Sequence, residues 1–163
     1  MAKSKNAQIA SKNIKDALVK IDPRNKDYYE KNYESFFMEL DNLYTEYKNR
    51  FSEVNKRVIL TGHPAFGYLC REFGFKQVSI RKFITSSKPS KEEIDRFRKY
   101  LKDNSINVVL LENGVSDEIL NALERNVGVE VKTTYCMEKM ETDKSYIDSM
   151  RLNLDNIYIS LAK

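Results

Sequence analysis

Residues 57–74 read RVILTGHPAFGYLCREFG, and the fold turns on how this stretch divides. Val58, Ile59 and Leu60 are a short β-branched and aliphatic run, as a strand buried on both faces requires. Thr61 and Gly62 interrupt it. Pro64 predicts the first position of a helix, because its fixed φ suits a helix and its missing N–H would be unpaired there anyway. Phe66, Leu69, Cys70 and Phe73 then recur at helical spacing, and Gly74 supplies a left-handed stop. The stretch thus reads as strand, turn, helix, and the only histidine of the chain, His63, sits in the turn. In open parallel sheets that turn lies at the carboxyl ends of the strands, where ligands bind.

The same alternation continues downstream. Gln77 to Ile80 reads as a second strand, and Ser86 to Ser90 as a loop. Ser90 with Glu93 makes a capping box that opens a helix to about Asp103, with Ile94, Phe97 and Leu101 on its apolar face. Ile106 to Leu111 (INVVLL) is the most hydrophobic strand. Ser116 to Asn126 is a helix with Ile119, Leu120 and Leu123 inward, stopped at Gly128. Val129 to Tyr135 is a fourth strand, and residues 136–144 are polar and irregular. Ser145 caps a final helix carrying Tyr146, Met150, Leu154, Ile157 and Leu161.

Upstream, residues 4–20 place Ile9, Ile14, Ala17, Leu18 and Ile21 at helical spacing, and Asp22-Pro23 ends that helix. Asn25 caps a second helix running to about Val54, whose apolar face is Tyr29, Tyr33, Phe36, Leu40, Leu43, Tyr47, Phe51 and Val54. A helix laid across a sheet is favoured over a coiled coil, because the pattern is short and aromatic. The expected fold is therefore α/β: a four-stranded parallel sheet flanked by helices, with a long amino-terminal helical segment.

Composition narrows the function. Charged residues are 32% and hydrophobic residues 41% of 163, the usual balance of a globular protein. With 28 basic and 24 acidic residues the formal charge is +4, and the lysines are interleaved with glutamates. That is a solvated surface and not a nucleic-acid stripe. Two cysteines, Cys70 and Cys136, are too few and too far apart for a disulfide framework. The start, MAKSKNAQIA, has no apolar core, so the chain as written predicts a cytoplasmic product without a signal peptide. No glycine-rich phosphate loop follows a strand, no GxSxG elbow is present, and the one histidine has no obvious serine or cysteine partner. An enzyme is not expected.

Chemistry is left to the turns at the strand ends. These carry His63 after the first strand, Glu112 after the third, and Thr134 and Cys136 around the end of the fourth. Histidine with a carboxylate suits Zn²⁺, Mn²⁺ or Fe²⁺, though two ligands fall short of the four of a structural zinc site. A hydrogen-bonded turn histidine and a turn or helix-dipole glutamate remain open readings of the same two residues.

Four segments resemble one family, the metal-binding receptors of ABC transporters: zinc, manganese and iron solute-binding lipoproteins of adhesin type. TGHPAFGYLCREFGFKQVSI (61–80) resembles its T-S-H or T-S-E segment, followed by A-F-x-Y, a helix and a strand. KNIKDALVKIDPRNKDYYEKNYESF (12–36) resembles its D-P-x-N-x-x-x-Y-x-x-N region. KPSKEEIDRFRKYLKDNSINVVLLEN (88–113) resembles P-S-x-x-x-L leading to V-E-P or V-E-S, and SYIDSMRLNLDNI (145–157) its closing S-Y-x-x-M-x-x-N-L. The resemblance implies a carboxyl-terminal lobe, with residues 4–22 the remnant of an interlobe helix and 23–163 a single α/β lobe. It further implies an amino-terminal lobe and an ABC permease as partners, and an extracytoplasmic, membrane-anchored parent. His63 matches the family's third metal ligand. Glu112 matches a site-lining glutamate. The family's late aspartate would fall near Thr134 to Cys136, where TTYCME has none. A transport-inactive interaction module, binding a protein partner or itself, is the alternative.

Overall fold

The β-branched and aliphatic runs pair as one sheet. The computed structural model describes residues 4–85, 89–137 and 144–163; residues 86–88 and 138–143, parts of the expected loop and polar stretch, lie outside the described residues. The strands are β1 (Val58–Thr61), β2 (Lys76–Ser79), β3 (Val108–Glu112) and β4 (Glu130–Thr134). They lie in the order β2-β1-β3-β4 and every pair is parallel. The register puts Thr61 opposite Ser79 on one side and Leu110 on the other, and Glu112 opposite Thr134. The parallel four-stranded α/β expectation therefore holds.

Alternating side chains of the central strands feed two cores. Ile59, Val108 and Leu110 pack with Leu43, Tyr47, Phe51, Cys70 and Leu154 on one face. Leu60, Val109 and Leu111 pack with Ile80, Phe97, Leu101 and Leu123 on the other. The first face is covered by α2 (Lys26–Ser52), α3 (Gly67–Phe73) and α6 (Tyr146–Ala162), and the second by α4 (Lys91–Asp103) and α5 (Asp117–Asn121). Burial on both faces is what lets the parallel strands read as unbroken hydrophobic runs. The α5 helix widens into a π-helical turn over Ala122–Val127 and ends at Gly128, with φ 83°. The expected capping box at Ser90 and Glu93 is formed, and Ser145 makes a second one with Asp148.

Two expectations need correction. The helix expected to start at Pro64 starts at Gly67, after a turn over residues 62–66. The cause is the His63 carbonyl, which accepts hydrogen bonds from the Ala65 amide at 2.9 Å and the Thr61 hydroxyl at 2.8 Å. Those bonds hold the backbone out of helical geometry. The first helical bond runs from Cys70 N–H to Phe66 at 2.8 Å. The second concerns the long helix laid across the sheet. Helix α1 (Ser4–Ile21) packs on α2, and its Ile9, Ile14 and Ile21 are 60%, 61% and 77% exposed. The long helix crosses the sheet only with its second half, where Leu40, Leu43, Tyr47 and Phe51 are buried. Tyr28, Phe37 and Met38 on its first half are exposed too.

This division predicts opposite outcomes for two similar truncations. Leu110→Ala, in the sheet centre, is expected to cost about 2–5 kcal/mol. Ile14→Ala is expected to change stability by about 0.5 kcal/mol or less. Urea denaturation followed by circular dichroism measures both, and equal losses would contradict the structure.

Candidate metal centre

The strand order places a topological switch point between β1 and β3. The crossover from β1 leads outward to β2, and that from β3 leads outward to β4 on the opposite side. Neighbouring loops diverge at such a point and leave a crevice at the carboxyl edge, the usual ligand position in open α/β sheets. The residues standing there are Gly62 and His63 after β1 and Glu112 at the end of β3.

The turn after β1 is fixed by a dense set of hydrogen bonds. Gly62 N–H donates to the Leu110 carbonyl at 2.9 Å, and the Gly62 carbonyl accepts from the Ser79 hydroxyl at 2.7 Å. The Gln77 amide donates to Thr61 Oγ1 at 2.8 Å and to the His63 carbonyl at 3.2 Å. Glu112 Oε1 then accepts from the His63 backbone N–H at 3.1 Å and stands 2.5 Å from His63 Nδ1. With a carboxylate as partner, Nδ1 carries the proton and Nε2 keeps its lone pair. The His63 side chain is 37% exposed and that of Glu112 is 18% exposed, so the pair is sheltered yet open to solvent.

The missing side chain at residue 62 leaves room for the Glu112 carboxylate in the position it takes beside the histidine. A Cβ placed on Gly62 would collide with Glu112 Oε2. The glycine thus serves close approach, and not an unusual φ.

The third chain segment arrives from β4. Cys136 Sγ, a His63 ring nitrogen and a Glu112 carboxylate oxygen all lie within 4.8 Å of one another. Two features set the path of the chain there. Asn153 of α6, fully buried, accepts from the Tyr135 N–H at 2.8 Å and donates to the Tyr135 carbonyl at 2.8 Å. Asn156 donates to the Thr133 carbonyl at 2.7 Å. Met137 then takes a left-handed φ of 60° while its side chain packs against the core. Left-handed backbone costs a non-glycine residue about 1–2 kcal/mol, and this packing offsets it.

The four residues singled out in the sequence thus separate. His63, Glu112 and Cys136 converge. Thr134 does not join them: it is fully buried, and its hydroxyl donates to the Leu111 carbonyl at 3.1 Å, tying β4 to β3. Cys70 is also buried, and burial pushes its thiol up to about 12. Sequence reasoning missed Gly62, Gln77 and Asn153. Asn153 was visible in the closing N-L pattern but had no role until its partner, the backbone of Tyr135, was in place. A cleft of about 540 Å³ adjoins the site, lined by Gly62, Glu112, Ile80, Ile84, Leu111 and Ile119.

Comparison with known proteins identifies the family. The model of the family described as "ZnuA: Zinc-uptake complex component A periplasmic" matches residues 3–159. The chain is 35% identical over 160 residues to the high-affinity zinc uptake system protein ZnuA of Bacillus subtilis (strain 168), covering 95% of this chain and 50% of that protein. It is 29% identical over 164 residues to the manganese ABC transporter substrate-binding lipoprotein PsaA of Streptococcus mitis, covering 97% and 53%. The crystal structure of the metal-dependent lipoprotein YcdH from Bacillus subtilis superposes with a TM-score of 0.84 at 32% identity, over 95% of this chain and 61% of that one. The chain spans about half the length of the curated relatives it matches. It belongs to the ZnuA family of metal-uptake components.

Proposed function

We propose that the chain is the carboxyl-terminal lobe of a solute-binding protein that captures a divalent metal for an ABC importer, with His63 as its principal ligand. The observation that carries this is the His63–Glu112 pair at the switch point of the sheet. A carboxylate on one ring nitrogen orients the imidazole and raises the basicity of the other, the arrangement that metal-ligating histidines use. The ion is cargo, and a nitrogen and oxygen donor set admits Zn²⁺, Mn²⁺ and Fe²⁺.

The lobe alone holds the ion weakly, because a tetrahedral ion takes four ligands. The remaining ligands come from an amino-terminal lobe, in keeping with relatives about twice the length of this chain. Residues 4–22 act as the connector to that lobe, and residues 23–163 form the α/β lobe itself. The exposed Ile9, Ile14, Ile21 and Phe37 are the face given to the rest of the receptor. An isolated apolar face of this kind has little other use on a soluble surface. The parent protein works outside the cytoplasm and hands its cargo to a permease. Among the described residues no helix is long and apolar enough to cross a membrane.

Two measurements test this. Calorimetric titration of the purified chain with Zn²⁺ and with Mn²⁺ is expected to show weak binding that His63→Ala lowers at least about tenfold. Tight stoichiometric binding that survives His63→Ala would overturn the reading. Gly62→Ala, which leaves His63 in place but forces the Glu112 carboxylate to shift, is expected to lower affinity about 10–100-fold. ¹⁵N chemical shifts of His63 should show the Nδ1–H tautomer favoured in the parent chain and that preference lost in the same variant.

A further inference from the structure

Resting on the metal-capture reading, we infer that Cys136 is a direct ligand from this lobe, so that the site favours thiophilic ions of the zinc class over manganese. The sulfur stands with the His63 nitrogen and the Glu112 oxygen in a triangle no wider than 4.8 Å. Donor atoms around a tetrahedral zinc ion, with bonds of about 2.0–2.3 Å, stand about 3.5 Å apart. Side-chain rotation of the partly exposed His63 and Cys136, with Glu112 still on His63 Nδ1, would close that difference. No backbone shift is needed, because each donor sits on a segment already pinned: His63 by Gln77 and Ser79, Cys136 by the Asn153 clamp on Tyr135.

Charge and softness point the same way. A thiolate beside the Glu112 carboxylate gives two negative charges against one divalent ion, with a neutral imidazole as the third group. Binding forms a metal–sulfur bond and releases the thiol proton to solvent. Thiolate and imidazole together suit zinc, whereas manganese favours oxygen donors. The other thiol does not compete: Cys70 is buried in the core under the sheet.

Co²⁺ serves as the spectroscopic stand-in for Zn²⁺, added to the purified chain. The expected result is a thiolate-to-cobalt charge-transfer band in the near ultraviolet that is absent from Cys136→Ser and kept in Cys70→Ser. By calorimetry, Cys136→Ser should lower Zn²⁺ affinity about tenfold or more and leave Mn²⁺ affinity nearly unchanged. Alkylation of the parent chain by iodoacetamide, read by mass spectrometry, needs no variant: Zn²⁺ should protect Cys136 and Mn²⁺ should not. Cobalt binding that depends on His63 but shows no thiolate band, with Cys136 alkylated equally fast with and without Zn²⁺, would overturn thiolate ligation and leave metal capture standing. Failure of Zn²⁺, Mn²⁺ and Co²⁺ all to bind the parent chain would overturn both.

Discussion

The carboxylate of Glu112 lies against the backbone of Gly62 and touches both the amide and the ring of His63. This one contact joins the two central strands at their carboxyl ends, where the sheet has no further ladder bonds to offer. It also decides what the histidine is chemically. An imidazole with Nδ1 held by a carboxylate has one lone pair left, on Nε2, and a reduced choice of ring orientations. The rest of the turn is built to keep that contact in place. Thr61, Gln77 and Ser79 saturate the carbonyls of residues 62 and 63, so the loop has few alternative conformations to sample.

The last helix has a comparable role at the other side of the crevice. The Asn153 amide pairs with both polar groups of Tyr135, as another strand would, and so extends the order of β4 one residue beyond its last ladder pair. Arg50 and Glu46 of α2 hold the same helix through Asp155 and Arg151. Such partly exposed ion pairs contribute little stability singly. Their value here is geometric, because α6 sets where the chain leaves β4 and therefore where Cys136 stands.

Much of this is legible in the sequence. Strand and helix boundaries followed from apolar period and from caps, because in this chain local preference and burial agree: Gly74 does adopt a positive φ of 73°, and Ser90 does close a capping box. The failures have a common physical origin. Pro64 was read by its own preference, but the His63 carbonyl, engaged by Thr61 and by Gln77 from the neighbouring strand, overrode it. The helical spacing of Ile9, Ile14 and Ile21 shows that a face is apolar and not what covers it, and here the structure leaves all three exposed. For the site, the lone histidine and the strand-end glutamate stood out by type and position. The difference between Thr134, turned into the sheet, and Cys136, turned toward the histidine, depends on pleat and on the bend at Met137, and neither leaves a mark in composition.

On the proposed metal-capture reading, preorganisation matters because a receptor must release what it binds. Every hydrogen bond that shapes the His63 turn is made within this lobe, so the half-site does not depend on the ion for its form. Affinity then depends on how many further ligands face it. On the proposed metal-capture reading, a second lobe closing over the crevice would complete the coordination shell. Its departure would leave the ion with the few donors of one sheet edge and water. Two or three ligands in a partly exposed crevice hold a divalent ion far less tightly than four, because each lost bond is replaced by solvent. On that reading, a rigid half-site would convert a movement between lobes into a change in affinity. A flexible one would follow the ion and blunt that change.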